Sequence, residues 1–360
     1  MRLIVAGGGT GGHLFPALAV ARAAKREDAR AEVLFVGTEH GIEANIVPRT
    51  EFPIRFITAH GIRKTGILNT LRGAVEIPLG VVQSLGLIRE FRPSVALGVG
   101  GYASGPTVAA ALLLRVPTAI QEQNSVMGTT NRLLARFVDR IFTSWEETDP
   151  APPAGKTLLA GNPVREEVLD TPAAEGDRDR FHILIFGGSR GARSINLAIA
   201  ENLAVLAPLA NRISIRHQTG VGVAEEIGER YRNAGLAAEA TEFIHDMGAA
   251  YRWADLVVCR SGASSLAEIT ALGKAAIVIP YPYAIGDHQA KNARVLESRG
   301  AVRVILDKDL GDAALVKEIR RLVEQPEALQ KLAENSRKLG RPEAARTIAR
   351  ELVSMERNRR

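Results

Sequence analysis

The chain has 360 residues, a length that suits two domains of roughly 150 residues each better than one core. Hydrophobic residues make up 46% and charged residues 24%, with no long polar or low-complexity tract, which excludes a disordered chain. The net charge of +6 favours an anionic surface or substrate, but aromatics are only 5% and do not interleave with basic residues, which argues against a nucleic-acid binder.

In chain order, the apolar run at 1–6 is too short for a signal peptide and leads into a strand and a glycine turn, so no export is expected. Runs at 3–6, 32–36, 54–58, 95–99, 118–121 and 140–143 predict strands, with helices over 15–26 and 107–114 between them. Strands apolar on both faces and separated by helices predict a doubly wound parallel sheet. The apolar stretch 74–88 is interrupted by Glu76, Pro78 and Gln83, and 108–114 is closed by Arg115 and Pro117. Both fall short of the ~20 residues of a membrane span. Residues 149–163, rich in proline and glycine, are expected to form a linker. Strand candidates at 182–186, 212–217, 256–259, 275–279 and 302–306 then restart the pattern in a second parallel α/β domain. The one cysteine, Cys259, lies in an apolar run of that domain and cannot form an internal disulfide, which fits a reducing compartment. Residues 343–356, with Ala344, Ala345, Ile348, Leu352 and Val353 on one stripe, predict a closing amphipathic helix.

Three glycine turns follow strands: Gly7-Gly8-Gly9-Thr10-Gly11-Gly12-His13, Gly100-Gly101-Tyr102-Ala103-Ser104-Gly105 and Gly187-Gly188-Ser189-Arg190-Gly191-Ala192. Bare backbone N–H groups at a helix N-terminus favour an anion, so each turn is a candidate phosphate site. The first also satisfies the G-x-G-x-x-G dinucleotide fingerprint at Gly7, Gly9 and Gly12. One dinucleotide needs one such turn, however, whereas three turns in two domains suit two phosphorylated ligands. In the second half, Arg260-Ser261-Gly262-Ala263-Ser264-Ser265-Leu266-Ala267-Glu268 runs from a strand into a helix. Its hydroxyls suit a phosphate and Glu268 a ribose; the plainer alternative is a capping box between Ser264 or Ser265 and Glu268. The loop from Gly286 to Asn292 gathers polar groups able to hold sugar hydroxyls. No His-Glu-x-x-His, paired cysteines or clustered carboxylates offer a metal cage, and there is no Asp-x-Asp of the kind that would hold a metal against a nucleotide diphosphate, so no essential metal or cofactor is expected, and Arg165 and Arg190 are the candidate counter-charges for a diphosphate.

These residues, together with Pro16, Pro106, Glu122-Gln123-Asn124 and Gly161-Asn162-Pro163-Val164-Arg165, closely resemble the MurG family over essentially the whole chain. That family moves N-acetylglucosamine from UDP-GlcNAc to lipid I, the undecaprenyl-pyrophosphoryl-muramoyl-pentapeptide, making lipid II in peptidoglycan synthesis. The resemblance implies an α/β GT-B fold, two Rossmann-like doubly wound parallel-sheet domains facing a cleft. Residues 1–160 would form the acceptor- and membrane-binding domain, with helix 342–357 packing back on it, and residues 161–340 the UDP-sugar-binding domain. It implies donor contacts from Thr10, Gly11, Gly12, Asn124, Arg165, Ser189, Ile244, Ala263, Ser264, Ser265, Leu266, Ala267, Glu268 and Gln289. Ile244 would lie by the uracil, Glu268 at the ribose, and Gln289 with Asn124 near the amino sugar. The acceptor pyrophosphate would meet Gly9, Gly101, Tyr102 and Ser104. His13 is the candidate base of an inverting displacement, with Glu122 the competing carboxylate; a histidine at this position equally suits phosphate binding. Gln121 stands where some members carry histidine, and Ala290 where some carry a second glutamine.

The stretch 63–92 mixes basic residues (Arg63, Lys64, Arg72, Arg89, Arg92) with Ile67, Leu68, Leu71, Val75, Leu79, Val82 and Leu85, the pattern of an interfacial face on an anionic bilayer and equally of a core helix with a solvated basic end. The expected location is peripheral, at the cytoplasmic face of the inner membrane, with cell-wall synthesis proteins as candidate partners. A UDP-sugar epimerase or other GT-B transferase, and a dinucleotide-dependent oxidoreductase, are the alternatives.

Overall fold

A computed structural model describes residues 1–59, 67–171, 179–188 and 191–358. The chain divides into two compact units, Met1–Arg165 with Glu343–Arg360, and Glu166–Pro342.

The first unit runs β1 (Arg2–Ala6), α1 (Gly11–Glu27), β2 (Glu32–Gly37), α2 (Glu43–Ile46), β3 (Ile54–Phe56), α3 (Ile67–Phe91), β4 (Val95–Gly98) and α4 (Ser104–Leu113). It continues through β5 (Thr118–Glu122), α5 (Thr129–Leu134), β6 (Arg140–Thr143) and β7 (Thr157–Leu159). All seven strands are parallel, in the order β3-β2-β1-β4-β5-β6-β7. Val5 stands between Phe35 and Leu97 in this register, and all three are buried, as a sheet covered on both faces requires. The order reverses between β1 and β4, so the loops that leave these two strands are neighbours.

The second unit begins with α6 (Glu166–Leu169), β8 (Phe181–Phe186), α7 (Arg193–Ala200), β9 (Ile213–Gln218), α8 (Ala224–Asn233) and β10 (Ala238–Thr241). It goes on through α9 (Met247–Trp253), β11 (Leu256–Cys259), α10 (Ala263–Leu272), β12 (Ala275–Val278), α11 (His288–Ser298), β13 (Arg303–Val304), α12 (Ala314–Glu324) and α13 (Pro326–Leu339). Its six strands are parallel in the order β10-β9-β8-β11-β12-β13, with the reversal between β8 and β11. Cys259 is buried at the end of β11, where loss of hydration pushes its thiol pKa up.

The closing helix α14 (Ala344–Arg357) packs against α1 of the first unit. Ile348, Ala349 and Leu352 are fully buried in the same core cluster as Leu14 and Ala17. Each Ile or Leu so buried contributes roughly 1.5–3 kcal/mol. The exposed pairs of Arg346 and Arg350 with Glu27 add little by comparison, though their hydrogen bonds hold the Glu27 carboxyl below its ordinary pKa.

Two strands depart from the sequence reading. Residues 149–163 are not simply a linker, because Thr157–Leu159 pairs with β6 as the seventh strand. The edge strand Ala238–Thr241 has no apolar run to announce it. Both lie at sheet edges, pair on one side only and are at most half-buried, so the burial signal that marks central strands is missing.

Candidate active site

The two glycine loops of the first unit close on one another at the strand-order reversal. Gly8 N–H donates to Gly100 O at 3.3 Å, and a Cβ on Gly101 (φ +81°) would lie 2.3 Å from Gly8 O. Only glycine fits there, for want of space as much as for the dihedral. Beneath the first loop lies a carboxylate that sequence reasoning missed. Glu43, buried in α2, accepts from Gly9 N–H at 2.7 Å and from Thr38 N–H and Oγ at 2.9 and 3.0 Å. A Cβ on Gly8 or Gly41 would sit 2.3 or 2.1 Å from that group. The glycines just before Glu43, Gly37 and Gly41, were the available signal; its partner Gly9, 34 residues away, was not visible from the sequence.

Gly9 N–H therefore points at an anion of the chain itself, while Thr10, Gly11 and Gly12 sit at the start of α1, where first-turn N–H groups have no partner within the helix. Gly101 is packed on Gly8, and Tyr102 is exposed. Ser104 is fully buried, its hydroxyl without a hydrogen bond over Gly98, where a Cβ would come within 2.5 Å.

His13, half-buried in the first turn of α1, lies against Gly100 and makes a 3.0 Å hydrogen bond between Nδ1 and Gln123 Oε1. Gln123 donates Nε2–H to Val99 O at 2.9 Å and to Gln121 Oε1, and Gln121 donates to Asn162 Oδ1 at 3.2 Å. Glu122 is also buried. Its Oε1 accepts from the backbone and side-chain N–H of Asn124 at 3.0 and 3.2 Å, its Oε2 from Gly128 N–H and Asn131 Nδ2 at 3.0 and 2.9 Å. A carboxylate has about four lone-pair directions, and here each has a donor. Arg165 stacks over the Phe15 ring at 4.8 Å.

In the second unit the loop after β8 closes on backbone rather than charge. Gly191 (φ +72°) lies so close to the loop after β9 that a Cβ would be 2.1 Å from Thr219 O. Gln218 Nε2 donates to Gly188 O at 2.9 Å, and Asn196 Nδ2 to Thr219 O at 2.8 Å. Asn196 Oδ1 in turn meets His217 Nε2 at 3.1 Å, and His217 Nδ1 meets Tyr231 OH at 2.9 Å. Burial holds the His217 imidazole far below its ordinary pKa, at about 3, and pushes the Tyr231 hydroxyl up. Ser189 and Arg190 lie outside the described residues, as do residues 63–66 of the basic stretch.

The N-cap of α10 is Gly262, with no side-chain cap, so the capping box open to Ser264, Ser265 and Glu268 does not form. Instead Glu268 Oε2 accepts from the buried Tyr251 hydroxyl at 2.9 Å, a partner the sequence did not suggest. Ser264 Oγ is buried without a partner; Ala263 and Leu266 are buried, so Leu266 offers a ligand only its backbone, while Ser265 and Ala267 are half-buried. Ile244 is half-buried, next to an edge-on pair of Phe243 and His245 rings 5.0 Å apart. Gln289 Oε1 accepts from Tyr281 N–H at 2.9 Å, and Gln289 O from Ser261 Oγ at 2.9 Å. Arg260 ties the strand ends together, donating to Asp307 Oδ1 at 2.5 Å, Ser194 Oγ at 2.8 Å and Pro280 O at 3.2 Å. Among the described residues no group of three or more His, Cys, Asp or Glu is placed to hold a metal ion.

The candidate residues thus sit at the carboxyl ends of two parallel sheets, and the same arrangement is found in known proteins. The glycosyltransferase family 28 N-terminal domain matches residues 3–143, and the family's C-terminal domain residues 182–348. A UDP-N-acetylglucosamine--N-acetylmuramyl-(pentapeptide) pyrophosphoryl-undecaprenol N-acetylglucosamine transferase of Geobacter sulfurreducens is 46% identical over 361 residues, covering 99% of both chains. The chain belongs to the MurG family. The transferase of the same name from Syntrophus aciditrophicus is 45% identical over 356 residues, again covering 99% of both chains. The crystal structure of Acinetobacter baumannii MurG superposes with a TM-score of 0.79 at 29% identity, covering 98% of this chain and 99% of that one. A UDP-GlcNAc 2-epimerase from Neisseria meningitidis shares the fold alone, with a TM-score of 0.67 at 14% identity over 98% of this chain and 100% of that one. The two parallel-sheet units are therefore those of a GT-B glycosyltransferase.

Proposed function

We propose that the chain transfers N-acetylglucosamine from UDP-GlcNAc to the 4-hydroxyl of the muramoyl sugar of lipid I, with inversion, to form lipid II in peptidoglycan synthesis. The observation that carries this reading is full-length identity of 46% to a transferase of that name, on a chain whose matching motifs lie at the carboxyl ends of both sheets.

UDP-GlcNAc belongs to the second unit. The first-turn N–H groups of α10, from Ala263 to Leu266, and the Ser264 hydroxyl take the diphosphate; Glu268, oriented by Tyr251, takes the ribose; Ile244 lies by the uracil. Gln289, with its oxygen held by Tyr281 N–H, offers its amide N–H to the amino sugar. Ser189, and Thr10, Gly11, Gly12, Asn124 and Arg165 of the first unit, complete the donor contacts. The acceptor pyrophosphate belongs to the turn at Gly101, Tyr102 and Ser104; Gly9 supports that turn through Gly8 and Glu43 rather than by its own N–H.

His13 takes the proton of the acceptor hydroxyl as its oxygen attacks the anomeric carbon from the face opposite UDP. The bond to the diphosphate oxygen breaks, and its electron pair leaves with UDP, stabilised by the N–H groups of α10. Glu122, with four donors on its carboxylate, shapes the 122–131 loop instead of accepting that proton.

The first unit meets an anionic membrane surface, peripherally and at the cytoplasmic face. Among the described residues no helix is long and apolar enough to cross a membrane. Ile77, Leu79 and Val82 on α3, Leu113 on α4, and Leu133 and Phe137 at α5 are nevertheless exposed, with exposed Arg115, Arg132 and Arg136 beside the latter group, and α4 packs with both α3 and α5. Exposed apolar residues interspersed with arginine along the chain suit an anionic interface.

The test is release of UDP and formation of the disaccharide product by purified protein, with and without a lipid I analogue and in EDTA. Acceptor-dependent formation of both products, unaffected by EDTA, is expected. UDP release without acceptor would favour the epimerase reading and overturn this one.

A further inference from the structure

His13 can act as a base through Nε2 only if the ring proton sits on Nδ1, and nothing about an isolated imidazole ensures that. The first unit supplies a chain of hydrogen bonds that decides it. Val99 O is a carbonyl and only accepts, so the end of the Gln123 amide that faces it at 2.9 Å is the NH2 end. The second Nε2 proton goes to Gln121 Oε1, whose own amide is oriented by donation to Asn162 Oδ1. Trp145 Nε1 donates to Gln123 O at 3.1 Å and pins the backbone of the same residue. Gln123 Oε1 is thereby turned to His13, and the 3.0 Å contact with Nδ1 is satisfied only when Nδ1 carries the proton. Gln121, Gln123 and Asn162 are all buried, so water does not compete for these groups. Gly100, which has no Cβ where one would come 2.9 Å from the ring, lets the imidazole approach the loop this closely.

We propose that Gln123, held by Gln121 and Val99, is the positioning residue that fixes the tautomer of His13 and presents Nε2 as the basic nitrogen. The catalytic part of this rests on the reading of His13 as the base; the tautomer itself does not. The relay is built from neutral amides, so it orients the imidazole without placing a buried negative charge beside it.

Nitrogen NMR of protein labelled at its seven histidines tests the proposal, with the His13 signals identified by their loss in His13→Gln. The expected spectrum at neutral pH has His13 protonated on Nδ1 and bare on Nε2. In Gln123→Met the Nε2–H tautomer is expected to appear, kcat to fall about tenfold to a hundredfold, and the KM for UDP-GlcNAc to stay unchanged. Gln121→Met, which leaves Val99 O in place, should show a smaller change in the same direction and serves if Gln123→Met does not fold. A wild-type His13 protonated on Nε2, or a tautomer indifferent to Gln123, overturns the relay. A tautomer that shifts while kcat holds keeps the relay and overturns His13 as the base.

Discussion

The loops after β1 and β8 occupy equivalent places in their two units, each leaving a strand next to the order reversal and each rich in glycine, yet one is backed by a charged group and the other by neutral ones. The first-unit loop folds over the buried Glu43 carboxylate, which takes Gly9 N–H. The second-unit loop closes on the Thr219 carbonyl, and its own Gly188 carbonyl accepts from Gln218 Nε2, beside the neutral network of Asn196, His217 and Tyr231. A phosphate brought to the first meets a fixed negative charge behind the glycines, whereas none of the contacts described for the second adds one. Similar glycine strings therefore differ in the ligand they tolerate, which supports placing the diphosphate of the donor in the second unit.

The largest break in this comparison is expected from Glu43→Ala. Three donors lose their acceptor in a buried site, and stability should fall by about 3–5 kcal/mol in urea denaturation. Thr10, Gly11 and Gly12 of the same loop are donor contacts, so the UDP affinity of the protein that remains folded should also fall, but by less than the stability; a loss of UDP binding as large as the loss of stability would mean that the diphosphate is not held mainly by the second unit. The reciprocal change, Gly191→Ala, forces a Cβ onto Thr219 O at a positive φ, a strain of roughly 1–3 kcal/mol. It should weaken UDP binding by calorimetry, and unaltered affinity would remove the second loop from the donor site.

Acid distinguishes the loops next. His217 titrates near 6.5 when unfolded and at about 3 when folded, so its stability contribution is complete above pH 6.5 and drains away as the pH falls toward 3. Each pH unit in that window costs about 1.4 kcal/mol for this one proton. Denaturation at pH 7 and pH 5 should show a gap that narrows in His217→Gln; equal gaps in the two proteins would mean that the folded imidazole is not held neutral. The smallest effect is expected from Tyr251→Phe, which removes the hydroxyl that donates to Glu268 Oε2. About 0.5–1.5 kcal/mol of ribose recognition should be lost, seen as a UDP Kd raised roughly two- to tenfold, with a loss of similar size in the stability of the ligand-free protein because the hydrogen bond is buried; an unchanged Kd would separate Tyr251 from ribose recognition.

The alternation of apolar runs and helical segments made both parallel sheets readable, because burial on both faces leaves an uninterrupted apolar signature in β1, β4, β8 and β11. Edge strands carry no such signature, and β7 and β10 were missed for that reason. The glycine turns were readable for a similar cause: a strand that ends in glycines announces a backbone that must pass close to something. What it passes close to was not. Gly9 meets Glu43 across 34 residues, His13 meets Gln123 across 110, and Glu268 meets Tyr251 across 17.

By itself the sequence determined the fold class, the family and the positions of the phosphate-turn motifs, since periodicity, turn chemistry and residue-by-residue resemblance are properties of short stretches of chain. Only the tertiary structure decided which of those motifs is backed by a carboxylate, which carboxylate is already saturated with donors, and which nitrogen of His13 bears the proton. Hydrogen bonds and desolvation act over about 3 Å, between groups whose separation along the chain is arbitrary, and so the electrostatic character of each site exists only once the sheets have brought those groups together.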